Sequence, residues 1–225
     1  MKITDVKPEK RITLSPADAL IIVDIQNDFL PGGALAVSGG HEIIEGVNAV
    51  SAVFEKSYYK IILTQDWHPL HHNSFASAHP GKQPFDQYAT DGIGPVLWPD
   101  HCVQGQKGAD FSPLLNTEVA DAIIRKGLNP KIDSYSTFIE NDKKTETGLG
   151  GYLKSLGITR IFICGLALDY CVYFSAIDGR TLGFEVYVII DLTRGIDDPA
   201  GSINNALEDM TNKGIKFVNL NAFLK

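Results

Sequence analysis

Six short apolar runs, separated by longer amphipathic stretches, constrain this chain more than any other feature. The runs are Ala19–Asp24, Tyr59–Thr64, Ala120–Lys126, Arg160–Gly165, Phe184–Asp191 and Ile215–Asn219. Each is rich in Val, Ile or Leu and lacks the alternation of a half-solvated strand, so each reads as a strand buried on both faces. The intervening stretches have helical spacing. Ile43, Val47, Val50 and Phe54 form one face of a helix over about 42–57. Further helices are expected over about 147–156, from Asp169 to Leu182 and over about 199–213, with Asp169 as N-cap of the third and Gly183 just past its end. Strands alternating with helices define an α/β class: a doubly wound, mostly parallel six-stranded sheet with helices on both faces.

The stretch from Trp67 to about Leu114 breaks the pattern. It is rich in His, Pro and Gly and has no clear period, which marks a functional excursion. The expected organisation is an N-terminal extension, 1–17, and a single domain, 18–225, carrying an active-site insert at about 67–114.

Composition removes several function classes. With 27 acidic against 20 basic side chains and a net charge of −7, the chain has no electrostatic footprint for nucleic acid. The longest apolar run, Ile161 to Leu168, is too short to span a bilayer, and Met1 to Pro16 lacks the apolar core of a secretory signal. Three cysteines without a CxxC pair point to a reducing, cytoplasmic setting. A GxGxxG fingerprint after a strand, a Walker A loop and a GxSxG elbow are all missing from the sequence.

Ligands of open α/β sheets sit beyond the carboxyl ends of the strands. There the chain offers Asp24, then Asp66 and His68, then Lys126, and then Cys171. Cys171 lies near the start of the helix expected from Asp169, where backbone N–H groups and a nearby lysine favour a thiolate nucleophile. Cys102 and Cys164 read as small buried hydrophobes. Asp24 ends an apolar strand, so desolvation raises its pKa toward that of a general base. Lys126, which on its own reads as a snorkelling surface lysine, becomes a site candidate beside them. Asp66 and His68 share one side of an extended segment, and with His101 they form a carboxylate–imidazole set suited to Zn²⁺, Fe²⁺ or Mn²⁺. His71, His72 and His79 read as loop residues.

These residues fall in five ordered motifs. They are the run Ile22–Phe29 followed by Pro31–Val37, then Thr64–Pro69, Trp98–Val103, Lys126–Gly127 with Asp133–Ser136, and Gly165–Val172. Together they resemble the nicotinamidase/pyrazinamidase family of isochorismatase-like cysteine hydrolases, over about Asp18 to Asn219. The resemblance implies hydrolysis of nicotinamide, and of pyrazinamide, to the acid and ammonia, within NAD salvage. It implies catalysis by Asp24, Lys126 and Cys171, and an oxyanion hole from the backbone N–H groups of Ala167 and Cys171. It implies one divalent ion, zinc first, on Asp66, His68 and His101, and a cis peptide between Leu166 and Ala167. Phe29, Trp98 and Tyr135 would hold the ring of a small carboxamide substrate. Some relatives add a metal ligand where this chain has Ser74, whose part is left open. Oligomeric state is also open between monomer and symmetric homo-oligomer. Rival readings are a carbamoyl or ureido hydrolase of the same fold, which would generally lack the Asp66/His68/His101 set, and a non-catalytic binding protein.

Overall fold

The computed structural model describes residues 3–224; Met1 and Lys2 of the expected extension, and Lys225 of the expected domain, lie outside them. Among these residues six strands form one sheet: β1 (Asp18–Val23), β2 (Lys60–Asp66), β3 (Ala122–Lys126), β4 (Arg160–Leu166), β5 (Glu185–Arg194) and β6 (Lys216–Val218). All neighbours are parallel, in the order β3-β2-β1-β4-β5-β6. The strand order reverses between β1 and β4, which makes the crevice at their carboxyl ends the natural ligand site.

Among the described residues four α-helices accompany the sheet: α1 (Ile44–Lys56), α2 (Leu149–Ser155), α3 (Tyr173–Thr181) and α4 (Ser202–Asn212). They lie where the apolar spacing places them, with ends displaced by a few residues. α1 buries Val47, Val50 and Phe54, and the Phe54 ring meets Phe162 of β4 edge-on at 5.8 Å. A Cβ at Gly179 of α3 would stand 2.9 Å from Ile161, the preceding residue of β4. Successive side chains of a strand point to opposite faces, so α1 and α3 cover opposite faces of the sheet. The expected doubly wound architecture is what the chain adopts, with the sheet wholly parallel.

The third helix departs from expectation. It begins with a wide π-type turn, Leu168–Val172, in which the Ala167 carbonyl accepts from both Tyr170 N–H and Val172 N–H. Asp169 does not cap it. Its buried carboxylate instead accepts from Ile196 N–H (2.9 Å), Asp197 N–H (2.8 Å) and the Ser202 hydroxyl, and so fastens the loop after β5.

Between β2 and β3 the chain forms short 3₁₀ turns joined by isolated bridges, including His68 with Val103 and Phe75 with Trp98. At the other end of the sheet the N-terminal segment lies along β6. Glu9 N–H donates to Phe217 O at 2.8 Å, and Ile12 N–H donates to Ala222 O at 3.1 Å. An uncovered edge strand is a template for pairing with another chain. Truncation through Ile12 is expected to cost about 2 kcal/mol, from lost apolar burial and edge hydrogen bonds. It should also produce concentration-dependent association in light scattering. A truncated protein that stays monodisperse with an unchanged melt would show the strap to be dispensable. No helix among the described residues is long and apolar enough to cross a membrane.

Candidate active site and metal centre

The crevice between β1 and β4 gathers the predicted residues. Asp24 follows the last residue of β1, with a left-handed backbone (φ 48°) that few non-glycine residues adopt. It is wholly buried. Thr64 of β2 donates its hydroxyl to Asp24 Oδ1 at 2.7 Å. Lys126, the last residue of β3, is also wholly buried and is not the snorkelling surface lysine of the simpler reading. Its ammonium is 2.9 Å from Asp24 Oδ2, donates to Asp66 Oδ1 and to Ser134 O (2.9 Å), and lies 3.5 Å from Cys171 Sγ. Cys171 sits in the π-type turn just past β4. One carboxylate oxygen each from Asp24 and Asp66 and the Cys171 sulfur lie within 4.8 Å of one another. The Lys126 ammonium contacts all three, so that trio is organised around a lysine cation.

Burial decides the protonation states. It pushes the Asp24 carboxyl up to about 6, against the pull of Lys126. It raises the Cys171 thiol well above its usual range, with Lys126 opposing and Asp24 and Asp66 reinforcing. Burial works against the Lys126 ammonium too, but Asp24 and Asp66 outweigh it and hold its pKa well above the ordinary value. This runs against the expected thiolate: burial and the two carboxylates favour the neutral thiol at Cys171, and Lys126 opposes them. The available base is Asp24.

Asp66 also belongs to a second group, with His68 and His101. Asp66 Oδ2 is 3.8 Å from His68 Nε2 and 3.9 Å from His101 Nε2. The donor atoms of all three residues lie within 4.8 Å of one another, and all three residues are buried. His68 Nδ1 faces Gly127 O at 3.1 Å, and His101 Nδ1 faces Pro99 O at 2.8 Å. A carbonyl only accepts, so each Nδ1 carries the hydrogen and each Nε2 presents a lone pair toward Asp66. Burial holds His68 well below its usual pKa, in the neutral form a ligand needs. Gly127 permits this arrangement: its φ is +67°, and a Cβ there would stand 2.4 Å from the His68 ring. The donor set, its tautomers and its carbonyl supports fit a divalent ion with positions left for another ligand.

His72 also lies close to His68 and Asp133. Its Nε2 donates to Asn129 O at 2.8 Å, and its Nδ1 takes the Ser74 hydroxyl at 2.7 Å and Ser74 N–H at 3.1 Å. Both ring nitrogens are thus engaged, and His72 is wholly buried rather than part of a solvated loop. Ser74, whose part the sequence leaves open, directs its hydroxyl to His72.

Both groups contribute to the wall of one cavity, bordered by Phe29, Leu35, Asp66, Trp98, His101, Asp133, Tyr135, Ala167, Tyr170, Cys171 and Ile196. All three predicted aromatics are in its wall. Trp98 donates its indole N–H to the Tyr135 hydroxyl at 3.1 Å, which donates to Gly94 O at 3.0 Å. The Leu166–Ala167 peptide is cis, as the resemblance implies. Sequence reasoning passes over Leu35, Asp133, Tyr170 and Ile196 as wall residues. Tyr170 meets Trp98 at 4.9 Å, ring to ring. Ile196 is within reach of the rule that ligands lie beyond strand ends: β5 runs on to Arg194, so Ile196 is just past its carboxyl end. Asp133 has an orphaned, buried Oδ2.

A parallel sheet bearing these residues at its switch point belongs to a known class: residues 18–221 match the isochorismatase domain, and the chain belongs to that family. Within it, the chain is 48% identical over 198 residues to a nicotinamidase of Acinetobacter baylyi, covering 88% of this chain and 90% of the relative. A crystal structure of PnC1 from L. infantum in complex with nicotinate superposes with a TM-score of 0.81 at 40% identity, covering 94% and 98% of the two chains. The pyrazinamidase of Pyrococcus horikoshii in complex with zinc gives a TM-score of 0.75 at 39% identity, covering 91% and 99%.

Proposed function

We propose that the chain hydrolyses nicotinamide to nicotinate and ammonia, and pyrazinamide to its acid, through a Cys171 thioester, within NAD salvage. The observation that carries this is one aromatic-walled cavity bordered by Cys171 of the Asp24–Lys126–Cys171 cluster and by Asp66 and His101 of the Asp66–His68–His101 trio. The enzyme unit is residues 18–225, with the 67–114 insert supplying Trp98 and His101. We assign it to the cytosol, in keeping with three free, buried cysteines.

Asp66, His68 and His101 would hold a divalent ion, zinc as in the Pyrococcus relative, which would supply Lewis acidity at the ring end of the cavity. Phe29, Trp98 and Tyr135 clamp the ring so that the carboxamide carbon faces Cys171. Asp24 takes the thiol proton as the sulfur attacks that carbon. Backbone N–H groups of Ala167 and Cys171 stabilise the oxyanion. Asp24 then passes its proton to the departing nitrogen, and ammonia leaves a thioester. Water attacks the thioester, giving its proton to Asp24, and nicotinate and the thiol are released. Lys126 offsets the negative charge that moves between Asp24 and the sulfur, and keeps the carboxylate aimed at it.

The test is release of ammonia and nicotinate from nicotinamide by purified protein, beside a chelated sample. Turnover is expected, with a large loss on chelation and recovery on adding zinc. Absence of turnover in the metal-loaded, reduced protein would overturn the reading. The pH profile follows from Asp24. The base must be ionised, and burial pushes its carboxyl up to about 6. Hence kcat/KM should fall as pH drops through about 6, approaching tenfold per unit below it. A profile flat down to pH 4.5 would remove Asp24 as the base.

A further inference from the structure

Residues 24, 26 and 28 alternate along the loop leaving β1, and each holds a different part of the site. Asp24 is the proposed base. Gln26 is wholly buried; its side chain donates to Asp66 O and accepts from Asp66 N–H, both at 2.8 Å, and so locks the backbone of the carboxylate ligand. Asp28 has no place in the mechanism, yet its carboxylate is fully engaged. Oδ2 accepts Cys102 N–H at 2.7 Å, and Oδ1 accepts Ala34 N–H at 3.2 Å.

Cys102 is the link between the two proposed metal histidines. It follows His101 directly, and its carbonyl accepts His68 N–H at 3.0 Å. Its backbone is left-handed, φ 47°, a conformation that a non-glycine residue keeps only when its surroundings impose it. The short bond from Asp28 is such an imposition. We propose that Asp28 is a positioning residue for the metal centre: by holding the Cys102 amide, it fixes the peptide that joins His101 to the backbone of His68. This rests on the assignment of Asp66, His68 and His101 as ligands.

The chemistry of the position requires a carboxylate. Both oxygens face N–H donors, and an amide would turn its NH₂ against one of them. The space is closed from the other side by Gly108, where a Cβ would stand 2.0 Å from Asp28 Oδ2. Gly108→Ala therefore displaces the carboxylate without removing its charge. That separates positioning from long-range attraction between an anion and the ion.

The test is Co²⁺ titration of metal-free parent, Asp28→Asn and Gly108→Ala proteins, following the visible d–d bands, with thermal melts of the metal-free forms. Both variants are expected to bind about 10–100-fold more weakly, the range for loss of a group that orients a ligand. At saturation their bands should be shifted, with metal-free melts close to the parent's. Binding within twofold of the parent and superposable bands in both variants would overturn the proposal. So would weakened binding in Asp28→Asn alone with an unshifted spectrum, which would reduce Asp28 to a remote charge. If Asp28→Asn fails to fold, Gly108→Ala decides the matter by the same two readouts. A His101→Ala protein that binds Co²⁺ as the parent does would instead overturn the ligand assignment, and the role of Asp28 with it.

Discussion

Replacing Cys171 by alanine is expected to lower turnover of nicotinamide by about 10⁴-fold or more while leaving fold and metal content intact. The sulfur forms the covalent bond in the proposed scheme, and no other cysteine takes its place: Cys102 and Cys164 are buried and do not line the cavity that Cys171 borders. Removing one small buried atom changes packing little, and Sγ is no member of the Asp66–His68–His101 group. Three readouts separate chemistry from collateral damage: nicotinate release, bound metal per chain, and the thermal midpoint. Release near the parental rate would end the thioester scheme. Loss of metal along with activity would mean that the two groups are one structural unit.

Replacing Lys126 by methionine should cost about 3–5 kcal/mol of stability in the metal-free protein, besides abolishing activity. Its ammonium sits wholly buried between Asp24 and Asp66, and its removal leaves two carboxylates facing each other out of water. The penalty depends on pH, with a sign that can be worked out. Without the lysine, both carboxyls have folded pKa values above their unfolded ones. The folded variant then binds protons more tightly than the unfolded chain, so its stability falls as pH rises through that window. The gap between parent and variant in urea melts should therefore be widest near neutrality and narrow as pH falls toward the unfolded carboxyl value of about 3.9. A gap under 1 kcal/mol at pH 7 would show that the carboxylates relax into solvent and that the cluster is looser than its distances indicate.

Much of the fold and of the site is legible in the amino-acid sequence. Runs such as Ala19–Asp24 announce central parallel strands because both faces must be apolar, and placing the strands places their carboxyl ends. Asp24, Lys126 and Cys171 can be paired across more than a hundred residues for that reason. What escapes is set by tertiary contacts. Asp169 has the composition of a cap, but whether it turns to its own helix or to the loop after β5 is decided by donors at 196, 197 and 202. The charge state of Cys171 is not legible, because proximity to a lysine is visible in topology whereas dryness and the second carboxylate are not. Asp133, close to a recognised tyrosine, gives no signal that its carboxylate is buried against the cavity.

The strap along β6 has a consequence for how this protein is made. Glu9 and Ile12 are made 208 and 210 residues before their partners, Phe217 and Ala222. β1 likewise pairs with β4, in the register Asp18 to Arg160, 142 residues further on. A nascent chain can zip β1, β2 and β3 together as they emerge, but the other half of the sheet and its outer edge must wait for β4, β5 and β6. Throughout elongation the segment ahead of β1 has no docking surface, and a chaperone or a neighbouring nascent chain is offered a sheet open on the side where catalysis will later take place.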